Sequence, residues 1–370
     1  MAAVRLDAPK LISPVSSHNE WDPLEEVIVG DVAGAMHPTW NVINQETVPE
    51  FASGNRRALH RDAGKPFSQA EIEAAAEDLE ALVTLLQSLS IRVRRPEPAY
   101  NAAPYSTPGW SVENGFCAAN PRDSILVVGD ELIETPMPDR GRYFETWPYR
   151  LLLLEYFKAG ARWTAAPKPR LLDSQFNLDF EPASPGQEMR YVVREEEPVF
   201  DAADFVRCGR DIFGQLSHVT NRAGVAWLRR HLQHTHTVHL IETRCRQPMH
   251  IDTTFMPLAP GKVLINPEFV DPQRLPSILG SWEILIAPPP AKRFVSDSTT
   301  VVSDWMSINV LMLDPRRVLV EEGQQPLIRA LESWGFEPLP CRFESYYAFG
   351  GSFHCATLDV RRRGGLESYF

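Results

Sequence analysis

The sequence predicts an α/β protein built as a single domain over residues 1–370, and three observations carry that expectation. Short apolar runs of strand length alternate with single amphipathic helical periods, as in α/β and α+β architectures. The 32 prolines punctuate the connections, yet no low-complexity linker divides the chain. Hydrophobic residues at 44% and charged residues at 23% match a soluble globular chain with a sizeable core.

Taken in order, residues 1–16 read as a flexible tail, interrupted by Arg5, Asp7 and Lys10, with no leader-like apolar run. Asp22-Pro23 is a turn signal feeding a strand over Val27-Ile28-Val29, which stops at Gly30. The stretch from there to about Pro66 has no clean period and reads as loop. Ser68 and Glu71 then form a capping box ahead of Ile72, Ala75, Leu79, Leu82, Leu86 and Leu89, the clearest helix of the chain. A strand at 91–93 and a loop at 96–108 follow. Further strands are expected at 124–128, 237–241 and 262–265. Helices are expected at 149–157, stopped by Gly160, at 221–232, and at 325–334, ended by Gly335. No strong internal repeat is visible.

Bulk properties narrow the function. A net charge of −11 argues against a nucleic-acid binder and is compatible with a cationic small substrate. The five cysteines, at 117, 208, 245, 341 and 355, have irregular spacing and no C-x-x-C pair, so neither a disulfide framework nor a structural zinc site is expected. A reducing, cytoplasmic setting fits that usage. No apolar run is long enough to span a membrane.

Residues able to carry chemistry sit in a few stretches. Cys355 follows Gly350-Gly351-Ser352-Phe353-His354, where glycines let backbone approach a ligand closely. A thiol there is either a nucleophile held as thiolate or an inert buried cysteine. His250 and Asp252 stand two residues apart and would share one face of an extended segment. Asp123 follows Asn120-Pro121-Arg122, and Asp211 lies in the run 200–213; helix capping is the commoner role for such aspartates. Together these stretches offer a thiol, an imidazole and carboxylates, an inventory suited to nucleophilic attack on a guanidinium carbon. The run His231, His234, His236, His239 invites a metal reading, but cationic capping and surface exposure account for it. There is no Walker A loop, G-x-G-x-x-G or H-E-x-x-H.

The words HNEWDPLEEVIVG, NPRD, APKPRL, FDAADFVRCGRDIF, MHIDTTF, NVLMLD and GGSFHCATLDVRRRG run in order over nearly the whole chain. By them the chain resembles the amidinotransferase family, which includes glycine amidinotransferase and the streptomycin-pathway inosamine-phosphate enzyme. FCAANPRD, RYFETWPYR, FGQLSHVTN, LAPGKVLINPEFV and CRFESYYAF look most like the saxitoxin-biosynthesis branch. The resemblance implies a five-bladed α/β-propeller, the pentein fold of pseudo-repeated ββαβ modules. It implies Cys355 as nucleophile, His250 as general acid/base and Asp211 as the carboxylate partnering that histidine. Asp123 and Asp252 fall on its guanidinium-binding positions, and Met249 and Ser303 on positions lining the pocket.

The implied reaction is ping-pong transfer of the amidino group of L-arginine to an amine acceptor, releasing ornithine, with no cofactor and no metal. A homodimer is expected from relatives. One position departs from the pattern. Relatives that grip an amino-acid carboxylate place an arginine where this chain has Phe269, which cannot form a bidentate pair. That change points to a carboxylate-free alkylamine or amino-ketone acceptor rather than glycine. It also requires another cation, from Arg244, Arg246 or Arg293, if the carboxylate of arginine is to be held. An arginine:glycine amidinotransferase, and an arginine deiminase-like hydrolase with water in place of the amine, are the alternatives.

Overall fold

One strand pattern occurs five times. In each of five three-stranded sheets, the middle strand pairs antiparallel with one neighbour and parallel with the other. A parallel pair cannot be joined by a tight turn, so each module needs a crossover between its second and third strands. The computed structural model that shows this describes residues 12–48, 53–98, 100–184, 186–291 and 302–370.

The first module joins both ends of the chain: Leu24–Val29 pairs antiparallel with Thr357–Arg362 and parallel with Arg92–Arg94. The second contains Ile125–Val128, Glu131–Glu134 and Arg162–Ala165, with the helix Arg150–Lys158 in its crossover. Phe205–Cys208, Asp211–Gly214 and Thr237–Leu240 form the third, around the helix Arg222–Leu232. The fourth, Phe255–Ala259, Lys262–Ile265 and Glu283–Ile286, replaces the helix with two 3-10 turns, Pro272–Arg274 and Ser277–Ser281. Leu311–Met312, Arg317–Glu321 and Glu337–Cys341 complete the fifth, around the helix Gln325–Ser333. These are the repeated modules of the pentein fold. None of the sheets closes into a barrel, and among the described residues no helix is long and apolar enough to cross a membrane.

Local chemistry explains the long crossover helix, Gln69–Ser88. The Ser68 hydroxyl accepts the Glu71 N–H, and the Glu71 carboxylate accepts the Ser68 N–H at 3.0 Å. Losing the serine cap would cost about 1 kcal/mol. Ala75, Leu79, Leu82 and Leu86 are fully buried along one stripe against Phe343 and Phe349. Helices 150–158 and 325–333 end as expected, before Gly160 (φ +108°) and Gly335 (φ +87°), which adopt the conformation that glycine tolerates best.

Three expectations change. The stretch expected to be loop before Pro66 contains two helices, Val42–Thr47 and Ser53–Asp62. The first is a single short turn capped by Asn41, too brief for a hydrophobic period to register. The segment 96–108 is not all loop: Tyr105–Ser106 pairs with Ser111–Val112 in a small hairpin. The end of the expected tail is anchored, since Val15 is fully buried and the Ser16 N–H donates to Val360 O at 3.0 Å; residues 1–11 lie outside the described residues.

Four of the modules bring a short segment to one place, just upstream of the first strand. These are Pro121–Ser124, Ala202–Asp204, Ile251–Thr253 and Asp304–Ile308, and they pack in sequence on one another. In the remaining module the corresponding segment ends in Cys355, two residues before Thr357–Arg362. The chemistry gathers where these five segments meet.

Candidate active site

Cys355 is 1% exposed and sits at that meeting point. Its sulfur receives a hydrogen bond from Asn309 Nδ2 at 3.1 Å and lies 3.4 Å from Asp252 Oδ2. The ligand-type atoms of Cys355, His250 and Asp123 all lie within 4.8 Å of one another, which would also let the three ligate a metal ion. Gly351 is required here for packing rather than for ligand approach. A Cβ on it would fall 2.6 Å from both Asn120 Oδ1 and Cys355 Cβ.

His250 reaches the cluster by an unusual backbone. Its φ is +63°, and the next three residues form a 3-10 turn, so the His-x-Asp pair is not extended as its spacing suggested. Positive φ in a non-glycine residue is uncommon and is concentrated at functional sites. The ring is held at its far nitrogen: Nε2 lies 3.0 Å from Asp201 Oδ2. Nδ1 faces inward, 3.5 Å from Asp123 Oδ1. Burial disfavours the imidazolium, but Asp123, Asp201 and the Cys355 contact outweigh it and hold the ring well above its ordinary pKa.

The partner of His250 is therefore Asp201, which replaces the expected Asp211. Asp211 opens the second strand of its module, and its carboxylate accepts from His239 Nε2 at 2.7 Å. Cys208, its cross-strand partner, marks the far end of the hairpin from Asp201. Four residues of strand separate the two ends by roughly 13 Å. The turn bearing Asp201 is fixed from beneath by Asp204, which accepts from Ser217 Oγ (2.6 Å), Thr220 Oγ1 (2.5 Å) and Gln215 Nε2 (3.1 Å).

Asp123 and Asp252 do flank the sulfur and the imidazole. Arg142 Nη2 donates to Asp123 Oδ2 at 2.8 Å, while the same guanidinium also pairs with Glu145. Burial pushes the Asp123 carboxyl up, although His250 and Arg142 pull it down. Burial acts in the same sense on Asp252, but the hydrogen bond from His354 Nδ1, at 2.8 Å, prevails and holds that carboxyl below its ordinary range. One oxygen each of Asp123, Asp201 and Asp252 is buried with no hydrogen-bond partner among the described residues. The thiol itself is pushed up to about 12 by burial and by Asp252, against the pull of His250.

Beneath the site lies a buried ionic lattice that sequence reasoning did not anticipate. Asp359 accepts from Arg122 (2.5 Å), Arg207 (2.6 Å), Arg362 (2.6 Å) and Ser17 (3.0 Å). Glu20 accepts from Arg207 twice at 2.8 Å and reaches His354 Nε2 at 3.4 Å. Arg122 Nε also donates to the carbonyls of His354 and Thr357, which ties the lattice to the cysteine segment.

One cavity opens on the cluster, and a second is lined by residues outside it. A cavity of about 110 Å³ exposes Asp123, Met249 and Gly350 and is otherwise walled mainly by apolar groups, among them Trp40, Phe116 and Val302. A larger one, about 650 Å³, is lined by Phe269, Ser303, Glu268, Arg244 and Arg246. Met249 thus stands beside the reacting groups. Ser303 caps the 3-10 turn 304–308, accepting from Trp305 N at 3.2 Å, and neither it nor Phe269 bonds the cluster among the described residues. Arg244 donates to the carbonyls of Pro267 and Val270, and Arg246 to that of Ala183. Arg293 lies outside the described residues.

Comparison with known proteins agrees with this geometry. The chain is 46% identical over 359 residues to the L-arginine:L-lysine amidinotransferase of Pseudomonas savastanoi pv. phaseolicola, covering 96% of this chain and 97% of that one. It is 40% identical to the mitochondrial glycine amidinotransferase of Danio rerio, over 96% of this chain and 85% of that protein. Among solved structures, an amidinotransferase of saxitoxin biosynthesis from Microseira wollei superposes with a TM-score of 0.94 at 56% identity, over 96% of this chain and all of that one. The inosamine-phosphate amidinotransferase of Streptomyces griseus gives 0.88 at 39%, over 97% and 99%. No protein-family model matches.

Proposed function

The chain belongs to the amidinotransferase family, and we propose that it moves the amidino group of L-arginine to a carboxylate-free amine through an amidino-cysteine on Cys355. The observation that carries this reading is that Asp123, Asp201 and Asp252, each with one buried oxygen that has no hydrogen-bond partner among the described residues, stand with one thiol and one imidazole. A guanidinium is planar, always charged and carries five N–H donors, so it matches a seat of acceptor-only oxygens. A neutral or anionic substrate would leave those three oxygens without donors.

The proposed steps use only this chain's side chains. Cys355 gives its proton to His250, and the thiolate adds to the guanidinium carbon. The C–N bond to ornithine breaks as His250 gives a proton to the leaving nitrogen. Asp201 keeps the ring oriented and stabilises its charged form, as the acid does in a catalytic triad. The acceptor amine then adds to the amidino carbon and loses a proton to His250, and the sulfur departs as thiolate.

The donor assignment is supported by the relative named for L-arginine. The acceptor assignment is supported by Phe269, and by the small cavity over Asp123, where the one cation among the described residues, Arg142, is already paired with Asp123 and Glu145. Among the described residues an acceptor carboxylate would find no open cation there.

Intact mass spectrometry after incubation with L-arginine tests the reading. The expected result is an amidino adduct on Cys355 with ornithine released, discharged by alkylamines and not by water. Citrulline formed without any amine would establish the hydrolase instead, and turnover by Cys355→Ala would overturn the nucleophile.

A further inference from the structure

The sulfur of Cys355 has one uncharged hydrogen-bond donor among the described residues, the side-chain amide of Asn309. Nothing in the family resemblance assigned this residue a role. Asn309 ends the 3-10 turn 304–308 and is 1% exposed. Its amide cannot be turned around. Oδ1 accepts the backbone N–H of His354 at 3.0 Å and that of Cys355 at 3.3 Å, so Nδ2 has to face the sulfur. The two contacts have different jobs: the oxygen fixes the backbone of the cysteine segment, and the nitrogen presents an N–H to the reacting atom.

The need for such a donor follows from the other groups around the sulfur. Asp252 lies 3.4 Å away and Asp123 belongs to the same cluster, so a thiolate forms beside two carboxylates. His250 can offset that charge, but it must give up its proton when the amine leaves. Thiolate charge sits on the sulfur before it attacks and again as it departs from the amidino carbon, and a donor that never titrates serves both moments. A fixed dipole aimed at developing charge in a water-excluded site is worth far more than in solvent.

We propose that Asn309 is a catalytic residue whose Nδ2–H stabilises the Cys355 sulfur as thiolate, in both the attack on the donor and the release to the acceptor. The proposal rests on Cys355 as nucleophile, but its test reads the thiol directly. The experiment is the pH dependence of Cys355 alkylation by iodoacetamide, followed by peptide mass mapping, in wild type, Asn309→Asp and Asn309→Ala. Aspartate keeps an oxygen for both backbone N–H groups and replaces the amide donor with a carboxylate oxygen. Because that added charge disfavours the thiolate by itself, Asn309→Ala, which removes the donor without adding charge, separates donation from repulsion.

The expected result is alkylation slowed at least tenfold, at any pH below the thiol pKa, in Asn309→Asp, with a smaller slowing in Asn309→Ala, which adds no charge. One pKa unit of the thiol corresponds to about tenfold in thiolate at a given pH. Alkylation at the wild-type rate in Asn309→Asp would overturn the proposal. A wild-type alkylation profile in Asn309→Ala would overturn it equally, whether or not Asn309→Asp folds. Should Cys355 not be the nucleophile, Cys355→Ala would still turn over while the alkylation shift persisted, which separates the two failures.

Discussion

Asp201 Oδ2 stands 3.0 Å from His250 Nε2, and this contact fixes which face of the imidazole meets the sulfur. With Nε2 engaged, Nδ1 is the nitrogen turned toward Asp123 and Cys355. Asp201→Asn would keep the shape and remove one of the charges that hold the ring in its charged form. By analogy with the triad acid, kcat should fall by about 10²–10⁴-fold. Asp211→Asn, whose carboxylate touches His239 instead, should stay within about twofold, as expected of a substitution that touches none of the reacting groups. Steady-state kinetics of the two variants side by side decide the matter, and equal losses would refute the assignment of Asp201.

That pair also shows what was legible in the sequence and what was not. Both aspartates lie in one run, 201–211, and both precede or open a strand. Which end of the hairpin faces the site is a property of the ring of modules, not of local pattern. The capping box at Ser68 and the strand 262–265 are written in residue types and spacing, and they appear where expected. The five-fold repetition is not written that way. Its units share strand order while their crossovers range from a 20-residue helix to two 3-10 turns. The φ of +63° at His250 has no sequence signal, because the enrichment of histidine at positive φ lies mostly in the left-handed helical region, whereas ψ here is 138°. Asn309 and His354 gain meaning only when segments from different modules meet.

The lattice under the site sets the acid limit of the fold. Asp359 is held well below the ordinary carboxyl range: burial alone would raise it, but Arg122, Arg207 and Arg362 dominate. Glu20 is lowered as well, chiefly by Arg207 against the cost of burial. A depressed folded pKa means that the stabilisation is fully present above the unfolded carboxyl range, about pH 4, and is lost as pH falls toward the depressed value. Asp359→Asn would leave three buried guanidiniums under-compensated, at a cost of about 3–5 kcal/mol. Urea unfolding at neutral pH should show that loss. The variant should also lose less additional stability than wild type between pH 4 and pH 3, because one of the groups responsible is gone. An unchanged midpoint at neutral pH would show that the lattice does not carry stability.

Phe269 offers the sharpest test of acceptor choice. It lines the larger cavity together with Ser303, Arg244 and Arg246, and both arginines already donate to backbone carbonyls. Phe269→Arg would add a planar guanidinium able to take a carboxylate by two parallel hydrogen bonds, which a phenyl ring cannot do. Glu268 is exposed and bonded to Trp305 Nε1 at 2.9 Å, so it need not neutralise the new cation. Hydrogen bonds to charged groups contribute about 1.5–3 kcal/mol, or roughly ten- to hundredfold. The variant should therefore raise kcat/KM for glycine or lysine relative to an uncharged alkylamine by at least about tenfold. The gain should appear in the second half-reaction, measured as discharge of preformed amidino-Cys355 by each amine. If the preference does not move, Phe269 does not face the acceptor, and discrimination has to be sought in the cavity over Asp123, where Trp40, Phe116 and Met249 form the wall.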